Sequence, residues 1–305
     1  MTPTAVPGPD ESAGVAAAPE RALWRSFRAS PSAQLGAGIF AAFCLLALLA
    51  PLIAPQNPYD LAQLNLMDAF KPPAFLADGK AGYPLGTDEQ GRDLLSAMLY
   101  GSRVSLFVGL VGVALAAGLG TLLGMVAGNA RGVLDSVIMR IGDVELSLPS
   151  ILIALFIMYF SEPGIGNIII AIVAVEWVLY ARTARASTIS EREKGYVEAA
   201  RSIGVGPLSV VLRHLLPNIL APIVVIANVR FAWVIILEAS LSFLGAGVPA
   251  EQPSLGRLIL NGYQMLFSGY WWISVLPGAA LMLLVLGVNL LGDWLREALN
   301  PKLAT

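Results

Sequence analysis

Long apolar runs alternate with short polar segments along the whole chain. The first apolar run, Leu35 to Ala54, spans roughly 20 residues, enough to cross a bilayer. Others fall at about Val104–Ala127, Val133–Phe160, Ile165–Tyr180, Ile219–Leu244 and Trp271–Leu291. The pattern predicts an all-α integral membrane protein with about six transmembrane helices. The first run exits through Ala50-Pro51-Leu52-Ile53-Ala54-Pro55, not a clear small-residue cleavage site, and is long for a signal-peptide core, so it reads as a retained helix.

The polar segments divide the chain. Residues 1–30, rich in Pro, Ala, Gly and Ser over the first twenty or so, read as a disordered cytoplasmic tail. Residues 31–100 hold the first transmembrane helix and an external loop. Residues 101–300 form the transmembrane core with a polar elbow at 191–218, and 301–305 a cytoplasmic C-terminal tail.

Composition agrees with a membrane protein. The 305 residues are 56% hydrophobic and only 13% charged, against roughly 25% charged in a soluble domain. A net charge of −2 argues against a nucleic-acid partner. One cysteine, Cys44, leaves no intramolecular disulfide, and one histidine, His214, argues against a histidine-based metal centre. Arg21, Arg25, Arg28, Arg131, Arg140, Arg182, Arg185, Arg192, Lys194, Arg201, Arg213, Arg296 and Lys302 all fall in segments that six spans with an inside N-terminus place at or near the cytoplasm.

The elbow runs EREKGYVEAARSIGVGPLSVVLRHLLPN. Tyr196 to Ile203 reads as a helix in which Ala199 and Ala200 leave a smooth face. Gly204, Gly206 and Pro207 stop it and turn the chain. A second short helix, Leu208 to Leu215, is expected to end near Pro217. In the external loop, YPLGTDEQGRDLLSAMLYGSRVSLFVG is punctuated by Gly86 and Gly91. Thr87 or Asp88 reads as the cap of a helix starting near Glu89, and Asp88, Arg92 and Asp93 as an ion-pair network on it.

The elbow resembles the EAA loop of ABC importer permeases, the inner-membrane components of binding-protein-dependent transport. The matching residues are Glu198, Ala199, Ala200, Gly204, Leu216 and Pro217, with Arg201 beside them. His214 departs from the usual apolar position. Leu85, Gly86, Thr87, Asp88, Gly91, Arg92, Asp93, Ser96, Gly101, Arg103, Ser105 and Leu106 resemble the external motif of the C-type dipeptide, oligopeptide and nickel branch. Ala97 departs from it where an arginine is common. Trp177-x-x-Tyr180-Ala181-Arg182 and Glu238-Ala239-Ser240-Leu241-Ser242-Phe243-Leu244-Gly245 extend the likeness, which covers roughly residues 30 to 303.

The resemblance implies a permease that couples closure of partner ATPases to alternating access in a bacterial inner membrane. It implies a second homologous permease subunit, two ATPase subunits, an external substrate-binding protein and surrounding lipid as partners. The chain has no G-x-x-x-x-G-K-[ST], so it is expected to be no enzyme and to need no cofactor, with ATP and Mg²⁺ held by the ATPases. The implied cargo is a di- or oligopeptide. Nickel, glutathione or another small solute is the alternative, and a secondary transporter or a membrane enzyme lies further off.

Charges within the apolar runs are functional candidates, because exposing them to lipid costs a few kcal/mol. Arg140 and Asp143, three apart, are expected to pair. Glu176 and Arg230 are candidates for the substrate path. Counting about 1.5 Å per residue from the inner ends puts Arg230 deeper than Glu176, which argues against direct pairing. Glu238 reads as a packing or gate residue near the outer surface.

Overall fold

The computed structural model describes residues 19–60, 64–130, 132–249 and 251–298, with side chains from Trp24 onward. The expectations for residues 1–18, for Arg131 and for 299–305, including Lys302, lie outside the described residues.

The described chain is helical: α1 (Pro19–Ala29), α2 (Pro31–Ile53), α3 (Leu94–Ala130), α4 (Val133–Leu146), α5 (Ser150–Tyr159), α6 (Ile165–Arg192), α7 (Gly195–Ser202), α8 (Pro207–Ser209), α9 (Leu216–Phe243), α10 (Leu255–Met265) and α11 (Trp272–Ala298). No strand occurs among the described residues; one isolated bridge joins Thr87 and Asp93. Residues 19–29, expected within the tail, are helical, and Phe27 packs edge-on to Trp294 of α11. Five helices are long and apolar enough to cross a membrane, or six if the bent pair α4–α5 is one span.

That pair corrects the single span expected over Val133–Phe160. The two helices meet at 91° across Ser147-Leu148-Pro149. Pro149 disfavours the helical conformation for Leu148, so α4 ends and α5 restarts in a new direction.

The bundle is built on α3 against α6, its most extensive helix–helix contact. A seam of glycines lets the two backbones touch. A Cβ on Gly120 would strike the Trp177 carbonyl and the Tyr180 Cβ, and one on Gly124 the Ala181 carbonyl and the Ala184 Cβ. In lipid, where oil meets oil, such close backbone packing is a main source of helix association. Helix α9 packs on α3, α6 and α11, and α2 lies on α11.

Residues 54–60 and 64–93 form a cap over one end of the bundle. Thr87 is fully buried; its hydroxyl donates to the Asp68 carbonyl at 2.6 Å and accepts from the Lys71 N–H at 2.8 Å. No helix starts at Glu89. Asp88 instead closes a tight turn, accepting from the Gln90 and Arg92 N–H groups and from Arg92 Nε at 2.7 Å. Asp93 stands apart from that pair and caps α3, its Oδ2 accepting from the Ser96 N–H at 2.8 Å. The network expected on an external helix is therefore one buried Asp88–Arg92 pair in a loop plus a cap. Gly91, at φ +73°, sits where a Cβ would strike the Asn65 carbonyl, so the turn requires glycine.

Candidate functional site: an elbow at one end and charges at mid-span

The elbow lies at the end of the bundle opposite the cap. Helix α7 packs inward through Val197 and Ala200, which join Tyr180, Ala184, Val210, Leu215 and Ile219 in one core cluster. The two alanines therefore divide: Ala200 is buried, and only Ala199 lies on the open face, with Glu198 and Arg201 beside it. Gly204 takes φ +83°, and the Val205 and Gly204 N–H groups donate to the Ala200 and Arg201 carbonyls. This is a Schellman closure, and it satisfies the carbonyls at the end of α7. Ile203 (81% exposed) and Leu208 (70%) then project from the turn.

The second elbow helix does not stop near Pro217. Helix α8 runs through a π-helical stretch, Val210–Leu215, directly into α9. Pro217 has no N–H and its ring crowds the preceding turn. The widened turn absorbs both, with the Leu216 N–H reaching back to the Val211 carbonyl. Leu216 and Pro217 thus open a transmembrane helix and tie the elbow rigidly to it. Tyr196 clasps the elbow, its hydroxyl donating to Glu191 at 2.8 Å and accepting from Asn218 at 3.2 Å. His214 is half-buried 6.5 Å from the Tyr196 ring, and its carbonyl accepts from Asn218.

Mid-span charges pair differently from expectation. Arg230 Nε and Nη2 donate to the two carboxylate oxygens of Glu176 at 2.7 and 2.5 Å. The depth count failed because α6 runs on to Arg192, moving its true inner end well past Tyr180 and lifting Glu176 toward Arg230. Arg230 also lies over the Trp233 ring at 5.5 Å. Asp143 pairs with Arg182 rather than Arg140, because α6 packs beside α4 and presents Arg182 to it. Arg185 likewise holds Asp135.

Two acids complete the picture. Glu238 has no exposed surface and accepts from the Ser105 and Ser242 hydroxyls at 2.7 and 2.9 Å, stitching α9 to α3 near the cap. Glu145, which the sequence reading did not single out, accepts from Trp177 Nε1 at 2.7 Å. An acid in an apolar run four residues before a proline was the available signal. In the cap, the Lys80 ammonium holds the Asp68 carboxyl below its ordinary range, while burial pushes Asp93 above it.

A helical bundle with five or six helices apolar enough to cross a membrane, an elbow at one end and a folded cap at the other defines an integral membrane component. The chain belongs to the family described as the binding-protein-dependent transport system inner membrane component, which matches residues 120–305. Residues 20–73 match the N-terminal transmembrane domain of oligopeptide transport permease C. The di/tripeptide transport system permease protein DppC of Pseudomonas aeruginosa is 39% identical over 93% of each chain. The dipeptide transport system permease protein DppC of Escherichia coli is 38% identical over 96% of each. In fold, the chain is similar to a solved inward-facing MetNI methionine ABC transporter, with TM-score 0.54 and 22% identity over 67% of this chain and 96% of that one.

Proposed function

We propose that the chain is the permease subunit of an ATP-driven importer of di- and oligopeptides in a bacterial inner membrane, with both termini cytoplasmic. The relatives' names support the cargo, and the family supports the assembly: a second homologous permease, two ATPase subunits that hold ATP and Mg²⁺, and an external binding protein. In this reading the cap faces outward and the elbow faces the ATPases.

One observation carries the coupling role. The elbow exposes Ala199 and Glu198 on α7 and the apolar Ile203 and Leu208 at its turn, and its second limb, α8, continues through the π-helical stretch into α9. Large apolar side chains exposed at the polar end of a bundle suit a docking surface. A docked elbow that is one piece with a transmembrane helix passes on any movement of its partner. Glu198, Ala199, Arg201 and Gly204 form or shape that surface, Ala200 anchors it, and Leu216 and Pro217 join it to the lever. ATPase closure then shifts the populations of outward- and inward-open states. Of the Glu176–Arg230 pair, Arg230 faces the path and meets the charged groups of the cargo, with Glu176 holding it from behind.

Affinity purification from native membranes in mild detergent tests this reading. A similar permease and ATPase subunits should co-purify, with transport-coupled hydrolysis lost in Glu198→Lys. Repeated recovery of a folded, solitary chain overturns it in favour of secondary transport.

A further inference from the structure

The mid-span cluster holds more acid than base. Helix α6 presents two neighbouring residues to two sides: Glu176 reaches α9 and the Arg230 guanidinium, and Trp177 reaches α4 and Glu145. Among the described residues, Glu145 Oε1 is buried and accepts no hydrogen bond. Glu176 and Glu145 lie on either side of Trp177, within electrostatic reach of each other, and Arg230 is bonded to Glu176 alone. The nearby Asp143–Arg182 and Asp135–Arg185 pairs are each neutral in themselves and supply no further cation.

Two more donors are uncommitted at the same level. Tyr180, one helical turn from Glu176 on α6, has no exposed surface, and its hydroxyl has no partner among the described residues. Arg230 commits Nε and Nη2 to Glu176, and its Nη1 side makes no hydrogen bond among the described residues. Its side chain keeps 27% exposure, so the cluster is open on one side. The α4–α5 break at Ser147–Pro149 lies one helical turn from Glu145, as in transport sites built around interrupted helices near the midplane.

A buried carboxylate oxygen without a donor is costly unless a cation arrives. We propose that Glu145, Tyr180 and the Glu176–Arg230 pair form a mid-membrane transit site for a zwitterion, with Glu145 receiving the α-ammonium and the free edge of Arg230 the α-carboxylate. The proposal rests on the peptide reading given above and adds a role for a residue outside the elbow. Both ligand groups belong to the peptide backbone, so the site accepts peptides without regard to their side chains. Trp177 is the positioning residue: its indole N–H fixes Glu145 Oε2 and leaves Oε1 for the ligand.

The test is dipeptide uptake by proteoliposomes holding the complete transporter, its binding protein and ATP. Glu145→Gln keeps size and the acceptor for Trp177 but loses the charge; uptake should fall about tenfold or more, the loss of one charge-assisted hydrogen bond. Glu145→Asp, which keeps the charge, should recover much of that loss, which a packing role would not produce. Equal uptake by the wild-type and glutamine forms overturns the site while leaving the peptide reading intact. Absence of dipeptide uptake by the wild type overturns the peptide reading, and the site with it. The wild-type complex gives a reading that needs no variant: excess dipeptide during turnover should slow modification of Glu145 by a hydrophobic carbodiimide, followed by mass spectrometry. An unchanged modification rate counts against the site.

Discussion

Arg230 and Glu176 lie 54 residues apart in sequence and meet through two parallel hydrogen bonds of 2.7 and 2.5 Å, joining α9 to α6 at mid-span. Glu176 has no exposed side-chain surface. Its charge is tolerable in the membrane only because the guanidinium matches both oxygens.

Removing one partner alone strands the other. Arg230→Ala should destabilise the subunit by about 3–5 kcal/mol, since an unpaired buried carboxylate remains. The double variant Glu176→Gln with Arg230→Met should recover most of that loss, because a buried pair replaced by neutral groups of similar volume is often neutral in stability. Thermal unfolding in detergent checks both. Uptake should stay low in the double variant, which separates the pair's proposed place in the path from its part in packing.

The glycine seam makes a sharper distinction between neighbouring positions. Gly124 faces the Ala181 backbone, whereas a Cβ on Gly118 meets nothing within 4 Å. Gly124→Leu should prevent α3 from closing on α6 and yield little folded subunit. Gly118→Ala should match the wild type or gain slightly, by about 1 kcal/mol from helix propensity. Yield and monodispersity on size exclusion read the difference.

Much of this architecture was legible in the chain. Apolar runs set the number and order of the spans, because a bilayer demands long uninterrupted helices whatever their partners. The elbow's turn was legible because Gly204 meets a backbone requirement that no other residue meets cheaply. What failed were statements about which residues meet. The Asp143–Arg182 and Glu176–Arg230 pairs depend on how helices pack, and period alone does not contain that. Three errors came from treating proline or an apolar run as a simple signal. Pro217 did not end its helix, because a π-helical turn took up the missing hydrogen bond; Pro149 broke a run that composition alone presented as one span; and the end of the apolar run at Tyr180 was not the end of α6. Glu145 went unremarked because its partner, Trp177, lies 32 residues further on and only helix packing brings the two together.

The cap carries a pH dependence of known sign. Asp68 accepts from Lys80 Nζ at 2.8 Å and from the Tyr83 hydroxyl at 3.0 Å, and the Lys80 hydrogen bond depresses its pKa below the usual 3.8. A depressed carboxylate contributes stability that is fully present above the unfolded value and is lost as pH falls through the folded one. Amide exchange in residues 66–86 should therefore speed up on acidification below about pH 4, beyond its intrinsic trend. Asp68→Asn should flatten that dependence and raise exchange at pH 7. Identical profiles for the two proteins would show that the Asp68 charge does not hold the cap.

The elbow offers a test in which folding and coupling part company. Gly204 holds φ +83° with open space where a Cβ would point, so a substitution costs backbone strain and no clash. Gly204→Ala should cost about 1–2 kcal/mol locally. That cost falls on the α7 closure alone, where the Val205 N–H meets the Ala200 carbonyl. The transmembrane bundle should assemble normally, while α7 tilts and the exposed Glu198–Ala199 face loses its fixed angle to α9. Transport should fall several-fold in Gly204→Ala and be abolished in Gly204→Asp, with unchanged membrane insertion and thermal midpoint. Glu198→Lys changes no intramolecular hydrogen bond of its side chain among the described residues, so it should likewise insert and fold normally while losing transport. Normal uptake in all three variants would exclude the elbow as the coupling element, whatever else it binds.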